Sequence, residues 1–94
     1  MQNPDLLRRL RVMRRTVLIL ETELRRAHVD EKLVAELDTM LEEGIAADER
    51  CSPVRDLVDK LRETLLSTRV ERYGDGVRVC QQLKDAIENV LSLL

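Results

Sequence analysis

An all-α, four-helix antiparallel bundle with a long first helix and a short second helix is the fold this sequence predicts, and three observations predict it. Leu6, Leu10, Met13, Val17, Leu20, Leu24 and Ala27 are spaced 4, 3, 4, 3, 4, 3, which makes one apolar seam over about six turns. Hydrophobic residues make up 44% of the 94 residues and charged residues 36%, while Pro and Gly number only two and three, a balance that belongs to a folded, helix-rich chain. The few residues that break helices stand where helices should begin or end. One domain spanning residues 1–94 is expected, large enough for a single core.

The first helix is expected from about Pro4 to Ala27. Asn3 supplies a cap for free N–H groups, Pro4 fits the first turn, and Asp5 places a carboxylate near the positive end of the dipole. His28 and Val29 follow, and Asp30 can cap a second helix over about Glu31 to Glu43 with Leu33, Leu37, Met40 and Leu41 facing inward. Gly44 is its natural stop, since glycine adopts positive φ without steric cost. Residues 45–52 read as a loop or a single helical turn. Ser52-Pro53 repeats the cap-and-proline arrangement and opens a third helix with Val54, Leu57, Val58, Leu61 and Leu65 inward. By Leu66 and Val70 the apolar positions have rotated off that stripe, which marks either the end of the helix near Thr68 or a second contact made by its last turn. Tyr73-Gly74-Asp75-Gly76 is the strongest breaker in the chain. The last helix is expected from about Val77 to Leu94, on a stripe of Cys80, Leu83, Ala86, Ile87, Val90, Leu91 and Leu94.

At about 1.5 Å per residue the first helix reaches about 35 Å and the second about 20 Å, so part of the first seam is expected to project or to meet another surface. A 4-3 seam longer than its neighbours can continue into a coiled-coil contact, which makes self-association one expectation.

Composition excludes several functions. Tyr73 is the only aromatic residue, so no set of rings exists to stack bases or to grip a flat cofactor, and no cofactor is expected. The apolar runs are far shorter than the roughly 20 residues that span a bilayer, and the first residues do not resemble a secretory signal. A cytoplasmic or nuclear location and reduced thiols at Cys51 and Cys80 are therefore expected. His28 is the only histidine, so no histidine metal cluster exists, and two cysteines alone do not complete a structural zinc site. A Cys–His nucleophile is less expected than a polar turn residue at His28. Asp38 with Glu42, and Asp56, Asp59, Lys60 and Glu63, read as solvated helix faces rather than acid–base pairs. The three glycines do not form a phosphate-binding loop. A non-enzymatic role is expected.

The charge is unevenly placed. Residues 1–27 carry seven arginines, Arg8, Arg9, Arg11, Arg14, Arg15, Arg25 and Arg26, against three carboxylates, a net of +4. The remainder holds nine basic and fifteen acidic residues, a net of −6, and the chain totals −2. One reading is intramolecular, with the basic helix lying against acidic flanks such as Glu36, Glu42, Glu43, Asp56 and Asp59. The other is an interface. On a wheel at 100° per residue, Val12 and Ile19 fall about 220–240° from Leu6, away from the seam, with Arg8, Arg15 and Arg26 around them. Arginine among aliphatic residues suits a protein interface, because the guanidinium pairs bidentately with carboxylates while the methyl groups leave water. The expected function is a helical protein–protein interaction module, an adaptor, scaffold or oligomerisation domain, that uses Arg8, Val12, Arg15, Ile19 and Arg26. Its expected partner is a protein with an acidic, partly apolar surface or a second copy of the chain. Nucleic acid is the rival use of the same arginines, disfavoured by a pI near 5.4. A membrane surface is disfavoured because the helix carries no aromatic anchor.

Arg8 or Arg9, then Arg25 or Arg26, together with Pro53-Val54-Arg55-Asp56, resemble positions of the small all-helical chorismate mutases. The resemblance implies an all-helical enzyme whose arginines receive a small dianionic ligand. The lysine this family carries further along a longer first helix has no counterpart here, so the resemblance transfers no catalytic residue.

Overall fold

The computed structural model describes residues 4–66 and 72–94, and its described residues form four α-helices: α1 (Pro4–Arg25), α2 (Glu31–Met40), α3 (Ser52–Leu65) and α4 (Arg72–Leu93). Side-chain pairs reveal the topology. Arg14 meets Glu88 and Glu21 meets Lys84, so α1 and α4 run antiparallel. Arg9 meets Glu43 beyond the end of α2, and Arg62 of α3 meets Asp38 of α2. The chain therefore rises and falls in turn, and α1 packs most extensively against α4.

One continuous core holds the bundle together. It takes Leu6, Leu10, Met13, Val17, Leu20 and Leu24 from α1, Leu37 from α2, Val54, Val58 and Leu61 from α3, and Val79, Cys80, Leu83, Ile87 and Val90 from α4. Of the two outcomes expected from helix lengths, the α1 seam does not project but meets other surfaces, because α4 also has 22 residues and the turn at Leu41–Ile45 continues past α2. The seam is thus consumed inside the subunit and offers no coiled-coil contact to a second copy.

Ala27 departs from the expected seam. The helix closes at Arg25, and Ala27 is exposed with φ +56°. His28 N–H donates to the Glu23 carbonyl at 3.0 Å and Ala27 N–H to the Leu24 carbonyl at 2.9 Å, the paired bonds that close a helix on a left-handed residue. Asp30 caps α2 as expected, accepting from Lys32 N–H at 3.0 Å. The helical path then kinks at Gly44, whose φ of +141° is non-helical, and across the kink Ala46 N–H reaches the Leu41 carbonyl at 2.9 Å, five residues back. Residues 49–51 form a short 3₁₀ turn capped by Asp48, and Ser52 is already helical, so the expected Ser52 side-chain cap is not made. The expected Asn3 cap, the Thr68 boundary and the rotation at Val70 lie outside the described residues.

The largest correction is at Gly74 and Gly76, which lie within α4 instead of ending a turn before it. Gly76 is buried where α4 crosses α1 and α3, and a Cβ there would stand 3.1 Å from a methyl of Leu24 and 3.1 Å from one of Leu65. Close packing and the helix it completes, with Tyr73 and Val77 partly buried, outweigh the poor intrinsic helix preference of glycine.

Gly44 and Gly74 consequently respond oppositely to alanine. Gly44→Ala forces a side chain into a backbone region reserved for glycine and should cost about 1–3 kcal/mol. Gly74 has nothing within 4 Å of its absent Cβ, so Gly74→Ala should add about 0.5 kcal/mol through helix propensity. Urea denaturation followed by circular dichroism measures both, and shifts of the same sign would contradict the assignment.

Candidate partner-binding face of the first helix

The circumference of α1 divides into three zones. The seam is buried against the core. On the flanks, arginines are used within the subunit: Arg9 Nη1 lies 3.3 Å from Glu43 Oε2, Arg14 Nη2 lies 2.7 Å from Glu88 Oε1, and Arg25 Nε lies 3.8 Å from Glu21 Oε2. On the outer zone, Arg8, Arg11 and Arg15 are exposed and reach no carboxylate of the described residues at ion-pair distance. Arg26 is also exposed and unpaired among the described residues, but it belongs to the turn that closes α1, its N–H bonded to the Glu23 carbonyl at 3.0 Å.

Val12 and Ile19 are 43% and 46% exposed, on the side of α1 toward α2. Leu18, 43% exposed, forms a second aliphatic position on the flank toward α4. Sequence reasoning did not single out Leu18, although the same wheel places it about 120° from Leu6. Of the acidic flank residues named from sequence, Glu43 alone pairs with an arginine of α1; Asp59 pairs with Arg62 and Asp56 with Arg55. Glu36 and Glu42 meet no basic group of the described residues at ion-pair distance.

Val12 also opens onto a groove between α1 and α2. It holds about 220 Å³ and is lined by Arg8, Arg9, Val12, Met40 and Glu43; beside it a shallow depression of about 490 Å³ lies on α2 and the turn after it, along Lys32, Ala35, Glu36, Thr39, Met40 and Glu43. Met40 and Glu43 are common to both. The groove is therefore basic on its α1 wall, mostly acidic on its α2 wall, and aliphatic between them.

The chain matches no protein-family model, no curated protein and no solved structure.

Of the arginines that carry the chorismate mutase resemblance, Arg9 pairs with Glu43 at the start of α1 and Arg25 with Glu21 near its end, while Arg8 and Arg26 are exposed. Both thiols are free and fully buried, whereas His28 is exposed in the α1–α2 connection. Burial, reinforced by the Glu21 carboxylate, pushes the Cys80 thiol up to about 12. Burial also raises the Cys51 thiol. Asp38, one of the paired carboxylates considered from sequence, accepts from Arg62 Nη1 at 2.7 Å, and hydrogen bonding to Asp38 raises the Arg62 guanidinium further. Asp48 accepts from Arg50 through both oxygens and from its backbone N–H, and these bonds hold its carboxyl below its usual range. Among the described residues, no group of three His, Cys, Asp or Glu side chains is placed to hold a metal ion, and no helix is long and apolar enough to cross a membrane.

Proposed function

We propose that the chain is a non-enzymatic helical protein–protein interaction module, and that the outer face of α1 is its docking surface. The observation that carries this reading is the division among the α1 arginines. Those on the flanks are neutralised by carboxylates of the same subunit, whereas among the described residues Arg8, Arg11, Arg15 and Arg26 remain unpaired beside exposed Val12, Leu18 and Ile19. Unpaired guanidinium groups around aliphatic side chains favour a partner that brings carboxylates to the rim and apolar groups to the centre.

The test is a double substitution, Val12→Asp with Ile19→Asp. Both side chains are solvent-accessible, so the variant should retain its helicity and melt within a few degrees of the parent. It should lose association, read as a lower mass by light scattering or as loss of the proteins co-purifying from the source cells. A variant that unfolds, or one that keeps every association, removes the proposed surface.

A further inference from the structure

We propose that the occupant of this surface is a second copy of the chain, seated about a two-fold axis parallel to α1 so that α1 of each protomer lies over α2 of the other. This inference rests on the interaction-module reading and names the partner.

The charge of the α1/α2 face selects the arrangement. Arg8 and Arg15 stand on the α1 side and Glu36 on the α2 side, all exposed, while Glu43 beyond α2 is exposed but already paired with Arg9 of its own subunit. Two such faces can stack about an axis across the helices or about one along them. An axis across the helices lays α1 on α1 and brings Arg8, Arg11 and Arg15 against their own copies, a juxtaposition of like charges that opposes docking. An axis along the helices lays the basic edge of each protomer on the acidic edge of the other.

Register supports the same arrangement. The Arg9–Glu43 ion pair and the groove shared by Val12 and Met40 place α1 and α2 side by side and antiparallel, with Val12 level with Met40. One further turn along each helix brings Arg15 level with Glu36. An axis parallel to the helices preserves height, so it carries these levels across the interface. Val12 then faces Met40 of the partner subunit, Arg15 faces Glu36 of the partner subunit, and Ile19 meets the aliphatic stem of the partner's Lys32. The product is a layer of four antiparallel helices, two from each protomer, with aliphatic residues inside and opposite charges at its rims. Because the buried α1 seam is unavailable to a second copy, association by α1 has to use this outer side.

Charge reversal with complementation tests the arrangement. Sedimentation velocity is measured for the parent, for Arg15→Glu, for Glu36→Arg and for their equal mixture, with thermal melting to establish that each variant is folded. The parent should sediment at twice 10.9 kDa and dissociate on dilution. Each single variant places like charges at both symmetry-related contacts and should weaken the dimer by about tenfold or more. The mixture should recover association. In a heterodimer the carboxylate introduced in one chain meets the guanidinium introduced in the other, and the parental pairing of Arg15 with Glu36 is kept at the second site. A parent that stays at one chain mass at every concentration overturns the second-copy inference. If Val12→Asp with Ile19→Asp still abolishes capture of another protein, the interaction module survives that failure. A dimer indifferent to both reversals, or a mixture that does not recover, overturns the placement of α1 over α2.

Discussion

Lys84→Met should lower the unfolding free energy by about 3 kcal/mol, a loss out of proportion to a side chain near the surface. The reason is Glu21, whose side chain is only 8% exposed between α1 and α4. Lys84 Nζ, itself on a side chain 20% exposed, lies 3.1 Å from Oε1 and donates to Oε2 at 3.2 Å. Arg25 stands further off at 3.8 Å and is 55% exposed, so it replaces little of the lost charge. Oε1 accepts no hydrogen bond from the described residues, which leaves this carboxylate dependent on the nearby ammonium. Removing the lysine therefore strands a buried negative charge. Replacing both residues by apolar ones of similar size, Glu21→Leu with Lys84→Met, should recover most of the loss, because the pair must be desolvated on folding as well as attracted. A double-mutant cycle in urea measures the coupling. A loss below about 1 kcal/mol for Lys84→Met would mean that water reaches Glu21 freely.

Wherever local chemistry decides the outcome, the fold was legible in the chain. The α1 seam, the Asp30 cap and the Gly44 stop each follow from residue types at a fixed spacing, and the structure contains all three. Features decided by distant packing were not. Gly76 looks like a helix breaker from sequence because its cost is local, whereas the crossing of α4 over Leu24 and Leu65 that compensates for it is tertiary. Ala27 fits the apolar spacing, yet it adopts a left-handed conformation to close the helix, a choice its side chain does not advertise. The same packing explains why the α1 seam meets other surfaces and does not project: the turn after α2 and the early start of α4 supply cover that no count of short-helix residues would include.

The candidate surface shows the same division. A helical wheel suffices to place Val12 and Ile19 outward, and both are exposed. It cannot say which arginines find carboxylates, since that depends on where Glu43 and Glu88 arrive from other helices. The separation of seven similar arginines into paired flanks and an outer zone that meets no described carboxylate is tertiary information. So is the acidic α2 wall beside Val12, which turns a basic stripe into one half of a two-signed groove.

The domain should lose stability steeply in alkali, and Cys80 should account for an identifiable share of that loss. Its thiol is buried within the α1–α4 interface, and burial followed by the negative charge of Glu21 raises it from 9.0 to about 12, with Lys84 opposing. A raised thiol is protonated in the folded chain over a range in which the unfolded chain has already released its proton. The stabilisation is therefore complete below about pH 9 and is lost as the pH rises toward 12. Each unit within that window costs about 1.4 kcal/mol, so about 2–3 kcal/mol should be gone by roughly pH 11. Cys80→Ala isolates the share of the thiol, because it removes the thiol and leaves the Glu21–Lys84 pair in place. Its stability at pH 7 should fall by about 1 kcal/mol through lost packing, yet its decline between about pH 9 and 11 should be shallower than the parent's by the share assigned to the thiol. Urea midpoints at half-unit pH steps provide the comparison. Parallel curves would place the thiol in contact with water, and the burial of Cys80 at the heart of the α1–α4 contact would have to be abandoned.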